Sequence, residues 1–290
     1  MGSSFAFWPC FAGLLFLIVG LISFRKEIAT AVGLNKVVAL ASVFVAASLA
    51  VFGAEHLAGA HILMQAVPVW MPAHLFWAYF VGFALLAAAL SLTLKKYIRW
   101  STLLLAIMLF LFVASIHIPN VIANPKSRIL WTVVLRDSAF AAGILAFAAY
   151  LWQQRTLTNI GRLWFAIVVI FFGVEYFLHP QIAPGVPLLK VTPAWVPFPP
   201  LWAYLTGAIL LVSGTALLLN KKPKQAAIAI GLTMTVWTLV LYFPLLLMAS
   251  GTQQIAEGYN YVADTLFFGG VALLVAASAS TNNLPAAQRH

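Results

Sequence analysis

The sequence predicts an all-α integral membrane protein with nine transmembrane helices: one N-terminal helix, then a tandem parallel repeat of four-helix bundles. Three observations predict this. Of the 290 residues, 63% are hydrophobic and only 8% charged, where a soluble domain carries roughly 25% charged residues. The loops between the apolar runs alternate in basic charge. A set of short motifs appears twice, about 125 residues apart.

The first apolar run covers about residues 5–24. No basic residue precedes it, while Arg25 and Lys26 follow it. A secretory signal carries its charge before the apolar stretch, so this run is read as a retained helix with its N-terminus outside. Residues 1–36 thus form an N-terminal transmembrane helix and a cytoplasmic loop. Spans at about 37–60, 74–94, 100–118 and 130–151 make the first repeat, 37–151. Spans at about 162–179, 199–219, 225–249 and 260–279 lie in the second repeat, 152–279, and 280–290 is a cytoplasmic tail. In lipid every backbone polar group must be satisfied within the structure, so a span is a helix or part of a closed barrel. The runs are far longer than barrel strands and lack period-two alternation.

One set of loops, with the tail, holds Arg25, Lys26, Lys36, Lys95, Lys96, Arg99, Arg155, Arg162, Lys221, Lys222, Lys224 and Arg289. The other set holds Lys126, Arg128 and Lys190. The positive-inside rule puts the richer set in the cytoplasm, so the N-terminus is extracytoplasmic and the C-terminus cytoplasmic. The net charge of +10 is thereby a topology signal and excludes a nucleic-acid-binding role. The single Cys10 excludes an intrachain disulfide and a zinc–thiolate site. Most tryptophans lie near span ends, at headgroup depth.

Phe52-Gly53-Ala54-Glu55 recurs as Phe172-Gly173-Val174-Glu175, and Trp77-Ala78-Tyr79 with Gly82 recurs as Trp202-Ala203-Tyr204 with Gly207. Asp137-Ser138, Phe140 and Gly143 recur as Asp264-Thr265, Phe267 and Gly270. Four helices return the chain to the same side, so the copies are parallel and related by an axis along the membrane normal. The second copy gains five residues in its outer loop, 180–200, which contains seven prolines. That loop reads either as a stiff connector on the headgroups or as a cap over a ligand cavity.

Each copy carries one Glu and one Asp inside apolar sequence, and these four are most of the six acidic residues. Glu55 falls about 8 Å inside the outer end of its helix at 1.5 Å per residue, with Glu175, Asp137 and Asp264 at comparable depth. His56, His61, His74, His117 and His179 fall in the same half or in the adjoining loops; His290 is in the tail. Buried ionisable groups in a membrane need partners and mark functional sites. Arg136 is the one intramembrane cation, and Glu55 is its first-choice partner, because the neighbouring Asp137 points about 100° away on the helix. His179 follows Glu175 by four residues, so the two share a face. The candidate ligand-binding or polar-network residues are Glu55, His56, His117, Arg136, Asp137, Glu175, His179 and Asp264. Glu55, His56, His117 and Asp137 are read as lining one pocket in the first copy, with Arg136 balancing charge. The copies keep the acids but differ in their histidines, which fits one working site and one scaffolding copy.

Several readings stay open. The cluster is a structural network that fixes helix register, or a site for a lipid-soluble ligand such as a quinone, with His and carboxylate handling protons. Haem ligation is the weaker option, because no HxxxH or HExxH spacing exists, and no metal site is assigned. Transport and lipid modification complete the range, and whether the chain is an enzyme is left open.

The repeated unit resembles the DoxX-like family of four-helix membrane proteins. The resemblance rests on Phe52-Gly53-x-Glu55, Pro72, Trp77-Ala78-Tyr79 with Gly82, His117-x-Pro119 and Asp137-Ser138-x-Phe140-x-x-Gly143, with a second set from Phe172 to Gly270. It implies a bacterial inner-membrane protein; the fusion of two units and the extra N-terminal helix depart from that family's single-unit pattern. Some members of that family are linked to quinone-coupled sulfur oxidation or to membrane complexes handling oxidative stress. The implied partners are membrane lipids, a quinone or other apolar ligand, and a larger membrane complex. A non-enzymatic assembly subunit is the alternative.

Overall fold

The computed structural model describes residues 3–279, so the tail 280–290, with Arg289 and His290, lies outside the described residues. Nine helices among the described residues are long and apolar enough to cross a membrane. They are α1 (Phe5–Ser23), α2 (Asn35–Ala58), α3 (His74–Leu94), α4 (Ile98–Ala123), α5 (Arg128–Leu151), α6 (Arg155–Leu178), α7 (Pro199–Leu218), α8 (Pro223–Leu247) and α9 (Thr252–Ser278). An isolated antiparallel bridge joins Ile182 to Val191 in the loop before α7.

The spans differ from the sequence reading where polar residues sit on a helix. α6 begins before the expected start at 162, and Arg162, assigned above to a loop, is a buried helical residue. Its Nη1 donates to the Leu217 carbonyl in the last turn of α7, the negative end of the helix dipole, which attracts a cation. α9 begins at Thr252 because Gln253, Gln254, Glu257 and Asn260 extend the helix without raising its hydropathy. α4 runs past Pro119 to Ala123 by widening into a π turn over Val113–His117. Proline has no N–H and its ring crowds the carbonyl four residues back, and the wider turn accommodates both. α8 does the same over Thr238–Tyr242 before Pro244.

Several local devices occur twice at a spacing of 125 residues. Trp77 Nε1 donates to the Pro72 carbonyl at 3.0 Å, and Trp202 Nε1 to the Pro197 carbonyl at 2.8 Å. Ala73 and Phe198, which precede α3 and α7, take left-handed φ of 56° and 50°. Lys95 and Asn220, then Tyr97 and Lys222, do likewise in the turns after those helices. A further device recurs at spacings of 120 and 125: α2 crosses α3 at Gly53 and Gly82, and α6 crosses α7 at Gly173 and Gly207. A Cβ on Gly53 would lie 3.0 Å from the Gly82 carbonyl oxygen, and one on Gly173 3.0 Å from that of Gly207. Only a residue without a side chain permits so close a backbone crossing.

The helices close into a ring. Successive helices from α2 to α9 pack side by side, and α9 returns to pack against α2. α5 and α9 also touch across the middle of the ring. The backbones of α2 and α5 stay apart, as do those of α6 and α9, although Phe165 and Phe172 of α6 reach Phe268 of α9 at ring separations of 5.3 and 5.5 Å. The last helix of each half is thus packed on the first helix of the other. α1 lies outside the ring, mainly against α2.

Candidate functional site

α5 and α9 meet through small residues and aromatics, with Phe140 and Phe267 at a ring separation of 4.5 Å. This contact brings Asp137 and Asp264 together on one guanidinium. Arg136 donates from Nε to Asp137 Oδ1 at 2.7 Å and from Nη1 to Asp264 Oδ2 at 2.8 Å. His117 Nε2 lies 2.7 Å from the other oxygen of Asp137. The π turn ends on His117, and its extra residue rotates the helix by about 100° relative to a regular α4. The expected Arg136–Glu55 pair does not form. The long Arg136 side chain reaches back to Asp137 while also spanning to Asp264, because α9 rather than α2 is the neighbour of α5.

Beside this network is a cavity of about 460 Å³, within the roughly 300–1,000 Å³ typical of small-molecule sites. Its polar end is formed by His117, Arg136, Asp137 and Asp264, with His56 nearby. Its body is apolar, from Phe52, Val81, Leu85, Met108, Phe112 and Phe140 among others, and Trp77 and the 63–71 segment close another side. His56 also points its Nδ1 at the Phe52 carbonyl, 2.8 Å away.

Glu55 does not line this cavity. His56 and Phe52 share the face of α2 that does, and Glu55 is turned toward α9, where Tyr259 Oη and Asn260 Nδ2 donate to its Oε1 at 3.1 and 2.8 Å. Glu175, at the matching position of α6, is bound by the last helix of the other half in the same way, by Arg128 Nη1 at 2.9 Å. Arg128 also donates to the carbonyls of Pro187 and Leu188, at 3.0 and 2.6 Å. His179 does not share a helix face with Glu175. α6 ends at Leu178, and His179 is the cap, its backbone N–H bonded to the Glu175 carbonyl. Arg128, Tyr259 and Asn260 were missed in the sequence. The visible signal was Asn260, four residues before Asp264 in an otherwise apolar helix.

The corresponding space in the second half is filled by its own loop. Ile182, Ala183 and Val186 are buried, and the Ala183 carbonyl accepts from Tyr176 and Tyr242 at 3.2 and 3.4 Å. Gly185, at φ 136°, passes so close to Tyr242 that a Cβ there would lie 2.7 Å from the ring. The proline-rich loop is therefore an inward plug at 182–188, with Trp195 and Phe198 left exposed farther along.

The DoxX family model matches residues 157–243, which takes in nearly all of α6, α7 and most of α8. A DoxX family domain thus lies in the second half of the chain, the half with the plug. No curated protein and no solved structure matches the chain.

Proposed function

We propose that this polytopic membrane protein, with its DoxX family domain, is a ligand-binding component of a quinone-linked redox system in a bacterial inner membrane. The observation that carries this reading is the form of the first-half cavity: a long apolar body with one polar end built from His117, Asp137, Arg136 and Asp264. A quinone needs both parts. Its tail is satisfied by Phe, Leu and Met side chains, and its carbonyls accept hydrogen bonds from a guanidinium or an imidazole. His117, held by Asp137, is placed to give or take the proton that accompanies quinone reduction, while electrons come from a partner protein. The asymmetry of loop charge supports an extracytoplasmic N-terminus, which puts the polar end in the outer half of the membrane.

The test is mass spectrometry of small molecules retained after purification in mild detergent, comparing wild type with Val81→Trp, which fills the cavity wall. A prenylated quinone in the wild type and its loss in the variant support the reading. Equal amounts in both would sink it. A structural or assembly subunit is the second reading, and the internal pairing of both aspartates favours it. It requires copurification with a larger complex and an empty cavity.

A further inference from the structure

The cavity has its own way into the lipid. Phe80 on α3 and Leu111 on α4 both line it, yet they are 49% and 59% exposed, and each continues an exposed stripe at helical spacing, Phe76 and Phe83 on α3 and Leu104 and Ile107 on α4. A side chain that does both lies at an opening. α3 and α4 also pack more sparsely than any other successive pair from α2 to α9. Around this seam the surface is apolar, with Phe76, Phe83, Leu104 and Ile107 exposed, so the opening faces acyl chains. The polar end is selective in charge. Two carboxylates face one guanidinium and one imidazole, so the cluster has no net positive charge for an anionic headgroup, even with His117 protonated.

We infer that the cavity is loaded sideways from the bilayer, through the α3–α4 seam between Phe80 and Leu111, by a single-tailed amphiphile with a neutral, hydrogen-bond-accepting headgroup. This rests on the ligand-binding reading above and adds to it the route and the charge class. A neutral head crosses the apolar seam without the cost that a phosphate or carboxylate would meet in hydrocarbon.

The experiment uses the full chain in lipid nanodiscs and a decyl-substituted benzoquinone as probe, with bound probe quantified by mass spectrometry after rapid capture. Phe80→Trp and Leu111→Trp thicken the seam at exposed positions, where Phe80 meets only the rings of Phe76 and Trp77 of its own helix among aromatic neighbours. Val212→Trp on α7, 71% exposed, is the control. The expected result is loading and release both slowed in the two seam variants, loading by about tenfold or more, with the control unchanged. Wild-type binding with equal loading rates in all four proteins overturns the seam and leaves the cavity reading standing. No binding to the wild type overturns both. Decyl phosphate, of matched chain length, is expected to compete at least about tenfold less well; equal competition overturns the neutral-head assignment.

Discussion

Arg136 donates from Nη1 to Asp264 Oδ2 at 2.8 Å, and this bond ties α5 of the first half to α9 of the second. With Asp137 on Nε, a single cation serves the aspartates that the two halves carry at equivalent positions. Arg136→Gln leaves two buried carboxylates without their cation, a change that costs about 3–5 kcal/mol when a buried pair is broken. The expected outcome is a lower melting temperature in mild detergent, partly restored by adding Asp264→Asn. An Arg136→Gln protein that melts with the wild type would show that the network carries no stability.

Asp137 holds His117 through Oδ2 at 2.7 Å, so Asp137→Asn removes the charge that orients the imidazole. A charge-assisted hydrogen bond contributes about 1.5–3 kcal/mol, which corresponds to roughly ten- to a hundredfold in affinity. Quinone retention is expected to fall by that factor while Asp137→Asn still elutes as a folded species. Titration calorimetry or a nanodisc binding assay reads the difference, and unchanged affinity would remove His117 and Asp137 from the site.

The plug of the second half depends on Gly185, whose φ of 136° suits glycine and whose missing Cβ makes room for Tyr242. Gly185→Val is expected to raise hydrogen exchange and proteolysis over residues 180–198 and to leave quinone retention in the first half intact. Unaltered exchange in the variant would mean that the loop is held by Arg128 and its other contacts alone.

Between α1 and α2, outside the spans, Glu27 pairs with Lys95. Partial burial acts to raise the Glu27 carboxyl, but the Lys95 hydrogen bond and charge, with help from Lys26 and a backbone hydrogen bond, hold it below its ordinary value. A lowered folded-state pKa contributes stability above the ordinary carboxylate value and loses it as pH falls through the folded one. The pair is solvent-exposed, so its contribution stays under about 1 kcal/mol. The melting temperature of wild type minus that of Glu27→Gln is expected to be small and positive at pH 7 and to shrink as pH falls below the ordinary carboxylate value. A difference that persists in acid would contradict the pairing.

Much of the architecture was legible in the sequence. Runs of about twenty apolar residues without charge have one solution in lipid, so nine helices followed from composition alone. His117, Arg136, Asp137 and Asp264 stood out for a related reason: ionisable groups are costly in a membrane and are kept where they are paired or used. The helix extensions at α6 and α9 were hidden because their first turns are polar, and hydropathy reports burial in lipid rather than helical geometry.

What the chain could not reveal by itself is which helix faces which. Glu55 and Asp264 were equally available to Arg136 by charge, and the choice fell to Asp264 because the ring puts α9, not α2, beside α5. The plug was ambiguous for a similar reason, since a proline-rich apolar loop has the same sequence whether it rests on lipid or turns inward. Tertiary packing turned it inward in the second half and left the first half open around His117 and Asp137. Sequence determined the spans and the chemical groups, because those depend on each segment's own partition into lipid. Neighbour order and the open cavity of the first half were decided by contacts between distant segments, which no local pattern encodes.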